Sequence, residues 1–195
     1  MTADYVRRCR YAGVDADHAI VVHPGIAAHP AVLDDFCAHH ADRGVDVWTP
    51  DDRFSFEGSA EGLVALGTHV AETTSLPVFL VGSSLSATAI YRTLQVSDVF
   101  FGAVLMGDAS PPVSPESLDP SLWQSTKPVL WIVGGADATS GLTAALAGVG
   151  PVEVQTHTDD VNRPMPMNAA ACSDAVLEWC LRQLSNHLNP MWRFA

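Results

Sequence analysis

Lysine is almost missing from this chain. Lys127 is the only one, and ten basic residues stand against 22 acidic ones for a formal charge of -12. So little positive charge excludes the broad basic face that neutralises a phosphate backbone, and no nucleic-acid partner is expected. It also argues against docking on an anionic membrane surface. No run approaches the roughly 18 apolar residues of a membrane span. The opening "MTADYVRRCRYAG" lacks the apolar stretch of a secretory signal. The four cysteines, Cys9, Cys37, Cys172 and Cys180, form no CxxC pair. A chain of this size needs no staples, so they read as reduced core thiols. The expectation is a cytoplasmic protein.

Metal and cofactor signatures are lacking as well. There is no HExxH and no Cys/His framework, and the adjacent His39 and His40 point to different faces of a helix, so no metal is expected. "VGGADATSG" is glycine-rich, but it lacks the dinucleotide spacing and follows a late strand, so no cofactor is expected either. There is no internal repeat and no low-complexity segment.

What is present suits one domain over 1–195: 195 residues, 48% of them apolar. Strand-like and helix-like stretches alternate along it. "YVRRCRY" alternates with period two, as an edge strand would. "HAIVVHP" is β-branched and stops at Pro-Gly. "PAVLDDFCAHHADRG" spaces Val32, Leu33, Phe36 and Cys37 as a helix and ends at Gly44. "VDVWTP" is a strand. "SAEGLVALGTHVAET" is a helix capped by Ser59, with Leu63, Leu66 and Val70 on one face. "PVFLVG", "VFFGAVLMG" and "KPVLWIVGG" are apolar strands, and "PVEVQTH" is a weaker one. "NAAACSDAVLEWCLRQL" is the clearest helix, with Cys172, Val176, Trp179, Cys180 and Leu184 facing inward. Continuous apolar strands between amphipathic helices define a doubly wound, mostly parallel α/β sheet with helices on both faces. Ligands of such sheets sit beyond the carboxyl ends of the strands, so the residues after each strand carry the chemistry.

"VFLVGSSLSATAIY" then raises a nucleophile. Strand, G-x-S-x-small, helix is the pattern of a nucleophile elbow: Gly82, Ser86 and Ala87 are small enough for a tight turn that lifts Ser84 off the sheet. The Leu85 N–H at the helix start faces a developing oxyanion. The last position of G-x-S-x-G is Ser86 here, and "SSLSA" also reads as a serine-rich helix cap.

These features, with two others, resemble the α/β-hydrolase superfamily over roughly Tyr5 to Leu184. "AIVVHPGIAAHP" is similar to its oxyanion loop, with one proline inserted at His23-Pro24-Gly25-Ile26; the resemblance implies a second oxyanion donor from Gly25 or Ile26. "KPVLWIVGGADATSG" looks like its late strand, which implies Asp137 as the triad acid, although Asp137 also suits a helix cap near Thr139. Asp108, after "VLMG", is the reserve acid. The family's histidine follows the last strand. Here "THTDDVNRPMPMN" has His157 early and Asn162 at the usual place. Either the strand ends near Gln155 and His157 swings in as base, or His157 is a strand-end residue, Asn162 stands in the base position and no triad forms.

The resemblance thus implies a serine hydrolase, of esterase or thioesterase type, with Ser84, Asp137 and His157 as triad. The alternative is a non-hydrolytic enzyme on the same fold (a cyclase, lyase or epimerase of biosynthesis) in which His23 or His29 acts as acid or base. A third reading is a binding protein without turnover. Segment 109–126, "DASPPVSPESLDPSLWQST" with Asp108 at its head, replaces the family's larger cap, so an open pocket is expected, walled by Trp123. Asp51, Asp52, Arg53, Phe54 and Phe56 follow another strand and also suit the pocket lining. With no basic cluster, a neutral or apolar small-molecule acyl substrate is expected. The tail "NPMWRFA" fits packing onto the body or meeting a second subunit in a homodimer.

Overall fold

A computed structural model describes residues 6–9, 15–23, 30–50, 59–83, 86–107, 125–134, 146, 150–157 and 170–188. Seven strands form one sheet: β1 (Val6–Cys9), β2 (His18–His23), β3 (Val45–Pro50), β4 (Val78–Ser83), β5 (Phe100–Met106), β6 (Val129–Gly134) and β7 (Val152–His157). Their spatial order is β1-β3-β2-β4-β5-β6-β7. All neighbours are parallel except β1, which runs antiparallel to β3 at the edge, Val6 opposite Pro50 and Cys9 opposite Val47. The described helices are α1 (Pro30–Ala41), α2 (Ala60–Thr74), α3 (Ala87–Val96) and α4 (Ala170–Leu188).

The apolar strands divide with period two, as pleating requires. Ala19, Val21, Leu80, Ala103, Leu105 and Trp131 face α2 and α3. Ile20, Val22, Val81, Val104, Leu130 and Ile132 face α1 and α4. Both sets are buried, so the sheet is covered on each side and the molecule is an α/β-hydrolase-like three-layer sandwich. The helix that the Cys172 spacing predicts packs as expected, with Cys172, Val176, Trp179 and Cys180 all buried. Cys37, Cys172 and Cys180 are buried thiols, and burial pushes the Cys180 thiol up.

The local signals hold in detail. Ser59 caps α2, its Oγ accepting from Gly62 N–H at 3.2 Å. Gly44, at φ 80°, closes the turn after α1, a conformation that favours glycine. Gly67 lies against Phe100, where an added Cβ would sit 2.3 Å from the ring, so this glycine sets how closely α2 approaches the sheet. Among the described residues, no helix is long and apolar enough to cross a membrane.

Candidate active site

The strand order reverses at β2. From β2 the chain passes through α1 to β3 on one side, and from β3 through α2 to β4 on the other. The helices that follow β2 and β4, α1 and α3, pack on opposite faces of the sheet, so the crevice in which doubly wound sheets bind ligands is expected at the carboxyl ends of these two strands. In register, His23 at the end of β2 lies beside Gly82, and Ser83 closes β4. α3 begins at Ala87 with Ser86 as its N-cap, so the chain passes from strand to helix across only Ser84 and Leu85. Gly82 is tightly enclosed: a Cβ there would stand 2.5 Å from Ile90 Cδ1, which would have to move aside, and 3.4 Å from Ser86 Cβ. That meets the steric demand at the first position of an elbow.

Ser86 does not act as the serine-rich cap would suggest. It occupies the N-cap, yet its side chain makes no capping hydrogen bond. Its Oγ lies 2.8 Å from His23 Nδ1 and, more loosely, 3.4 Å from Ser83 Oγ. His23 comes to this place because β2 alternates: with Ala19 and Val21 on the α3 face, His23 falls on that face too. Burial holds its pKa below the ordinary histidine value, and a hydrogen bond to its own backbone partly offsets this. The imidazole is therefore neutral at pH 7. A neutral ring and a hydroxyl pair in either donor sense, so the bond survives a change of tautomer.

Of the other expected site residues, Ser84, Leu85, Gly25, Ile26, Asp108, Trp123 and Asp137 lie outside the described residues, as do His29, Asn162, Asp51 to Phe56 and the cap segment up to residue 124. Asp108 comes one residue after Gly107, which extends β5 by donating to Ile132 O at 3.1 Å. Asp137 comes three residues after the end of β6 at Gly134. The backbone of His157 is described. The strand does not stop near Gln155: β7 runs on to His157, which pairs with Gly134. Nothing in "VEVQTH" breaks a strand, and β6 continues alongside to pair with it. At about 4.8 Å per strand, three spacings separate β7 from β4, so the in-strand His157 backbone lies about 14 Å to the side of β4.

Among the described residues, no group of His, Cys, Asp and Glu is arranged to hold a metal ion. A shallow cavity of about 300 Å³ lies elsewhere, lined by Asp17, Pro77, Phe101, Leu181, Leu184 and His187. Asp17 and Pro77 each directly precede a strand, so this cavity is at the amino edge of the sheet, opposite the crevice.

The fold defines a doubly wound α/β protein whose strand order switches at β2. More specifically, the chain has the α/β-hydrolase fold. It is similar to MenH from S. aureus, with a TM-score of 0.67 at 9% identity over 93% of this chain and 99% of that one. It is also similar to Est1E from Butyrivibrio proteoclasticus, with a TM-score of 0.61 at 12% identity over 93% of each chain. A third likeness is to MGS-MChE2, an alpha/beta hydrolase enzyme from a lagoon-sediment metagenome, with a TM-score of 0.65 at 10% identity over 95% of this chain and 98% of that one. No family model and no curated protein matches the sequence.

Proposed function

We propose that the chain is a serine hydrolase of esterase or thioesterase type that cleaves a small acyl substrate through an acyl intermediate on Ser84. The observation that carries this reading is the handover from β4 to α3 across Ser84 and Leu85 alone, at the switch point and over a tightly enclosed glycine. Esterases and an alpha/beta hydrolase enzyme among the similar structures support it. In this mechanism Ser84 Oγ attacks the acyl carbonyl. His157 takes the proton and returns it to the leaving group, and Asp137 holds the imidazole. The N–H groups of Leu85 and of Gly25 or Ile26 receive the oxyanion, and water then releases the acid. His23, Asp108 and Trp123 border the substrate. The assignment requires the chain to leave β7 so that His157 turns toward Ser84, because the in-strand position is about 14 Å aside.

That same position of His157 favours a second reading, a non-hydrolytic enzyme such as a cyclase, lyase or epimerase, with His23 as its acid or base. The two separate on one experiment. A fluorophosphonate probe should label Ser84 in the folded protein and leave Ser84→Ala unlabelled. Folded protein that takes no label, with turnover surviving in Ser84→Ala, selects the second reading.

A further inference from the structure

We propose that Ser86 and His23 form a positioning tether that joins the two segments supplying the oxyanion donors; this rests on the reading of Ser84 as nucleophile. One candidate donor, Leu85, directly precedes Ser86 in the chain. The other, Gly25 or Ile26, follows His23 by two or three residues. A single hydrogen bond of 2.8 Å between Ser86 Oγ and His23 Nδ1 thus spans the crevice from the start of α3 to the exit of β2.

Three observations give this bond a role beyond filling space. The hydroxyl sits at the N-cap, where serine ordinarily accepts from the first turn of its own helix, and it forgoes that partner for His23. Ser86 is 4% exposed, so the bond is made where losing a partner is costly. Ser83 Oγ, at 3.4 Å, stands behind it from β4. The glycine usual at position 86 in the elbow pattern has no side chain with which to make such a link. On the β2 side, Pro24 confines His23 to extended backbone, so the imidazole and the start of the loop are set together. Holding both donors before the oxyanion forms is what makes such a site effective, because the groups need no rearrangement during reaction.

The test compares Ser86→Ala, Ser86→Gly and Ser86→Thr with the parent chain. Amide hydrogen exchange reads the tether without any need for activity. In Ser86→Ala and Ser86→Gly the Gly25 and Ile26 amides should exchange roughly five- to tenfold faster, the worth of one buried hydrogen bond, while Ile20 to Val22 stay unchanged. Ser86→Thr keeps the hydroxyl and should restore slow exchange. Phosphonylation of Ser84 should slow roughly ten- to a hundredfold in the rate of inactivation, with binding of the probe unaltered and Thr again rescuing. Unchanged exchange at Gly25 and Ile26 overturns the tether. Faster exchange with a parental phosphonylation rate overturns its positioning role. Faster exchange in the variants, together with a folded parent chain that is never labelled, upholds the tether and rejects Ser84 as nucleophile.

Discussion

Lowering the pH from 7 to 5 should destabilise this protein through two histidines far from the crevice. His18 and His40 are 1% and 0% exposed, and none of their ring nitrogens finds a hydrogen-bond partner among the described residues. His18 meets the Phe79 ring edge-on at 5.7 Å, and His40 lies 4.3 Å from Phe36, between ring centroids. Burial, above all else, lowers their pKa values from 6.5 to about 4 for His18 and about 3 for His40; the neighbouring His39, His18 and Arg43 add to the effect on His40, while Asp17 acts in the opposite sense on His18 and Asp174 on His40. Both rings are therefore neutral in the fold. The unfolded chain takes up their protons below about pH 6.5 and the folded chain does not, so their stabilisation is complete above that value and is lost as pH falls toward the folded pKa values. At pH 5, about 1.5 pH units below the unfolded pKa, each histidine accounts for about 2 kcal/mol, or about 4 kcal/mol together. That is a large share of the 5–15 kcal/mol typical of a domain.

Urea unfolding followed by tryptophan fluorescence at pH 7 and pH 5 measures this. Other groups also contribute to the pH dependence of stability, so the informative quantity is the difference between parent and variant. His40→Leu should remove about 2 kcal/mol of the pH 7-to-5 loss, whatever it does to stability at pH 7. Equal losses in parent and variant would refute the reasoning, because they would mean that His40 already takes up its proton in the folded state.

Other consequences follow from packing. Gly82→Ala should destabilise by about 1–3 kcal/mol, since its Cβ would meet Ile90 Cδ1 at 2.5 Å, and should slow labelling of Ser84; a variant with parental melting and labelling would contradict the tight elbow. Cys37, Cys172 and Cys180 should stay inert to a thiol reagent in native protein and react on unfolding, and rapid native modification of any of them would show the helix layer to be open. Arg182 donates to both carboxylate oxygens of Glu153, at 2.7 and 2.9 Å, but the pair is solvent-exposed. Arg182→Ala should therefore change stability by less than about 1 kcal/mol, with salt reducing even that; a larger, salt-insensitive loss would show the pair to be structural.

The layered architecture was legible because each of its parts has a local cause. The apolar runs of β4, β5 and β6, the Ser59 cap and the inward face of α4 all act within a few residues. β1 was legible as an edge strand, while its antiparallel direction depends on a partner, β3, far along the chain. The end of β7 was not legible, because pairing with Gly134 of β6 carries it to His157 and nothing in its own sequence marks the stop. The bond between Ser86 and His23 joins residues 63 apart and exists only in the β2–β4 register. Serine in place of the elbow's glycine is the available hint, but nothing near it in the sequence points to His23 as its partner. The burial of His40 had a signal too, since it continues the helical face of Phe36 and Cys37.

The central claim is that Ser84 forms a covalent acyl intermediate. Intact-mass and peptide analysis of protein quenched during reaction with a p-nitrophenyl acyl ester tests it most directly. The account predicts one acyl group on the peptide carrying Ser84 and none in Ser84→Ala. Turnover with no adduct, or equal acylation of the variant, would contradict it.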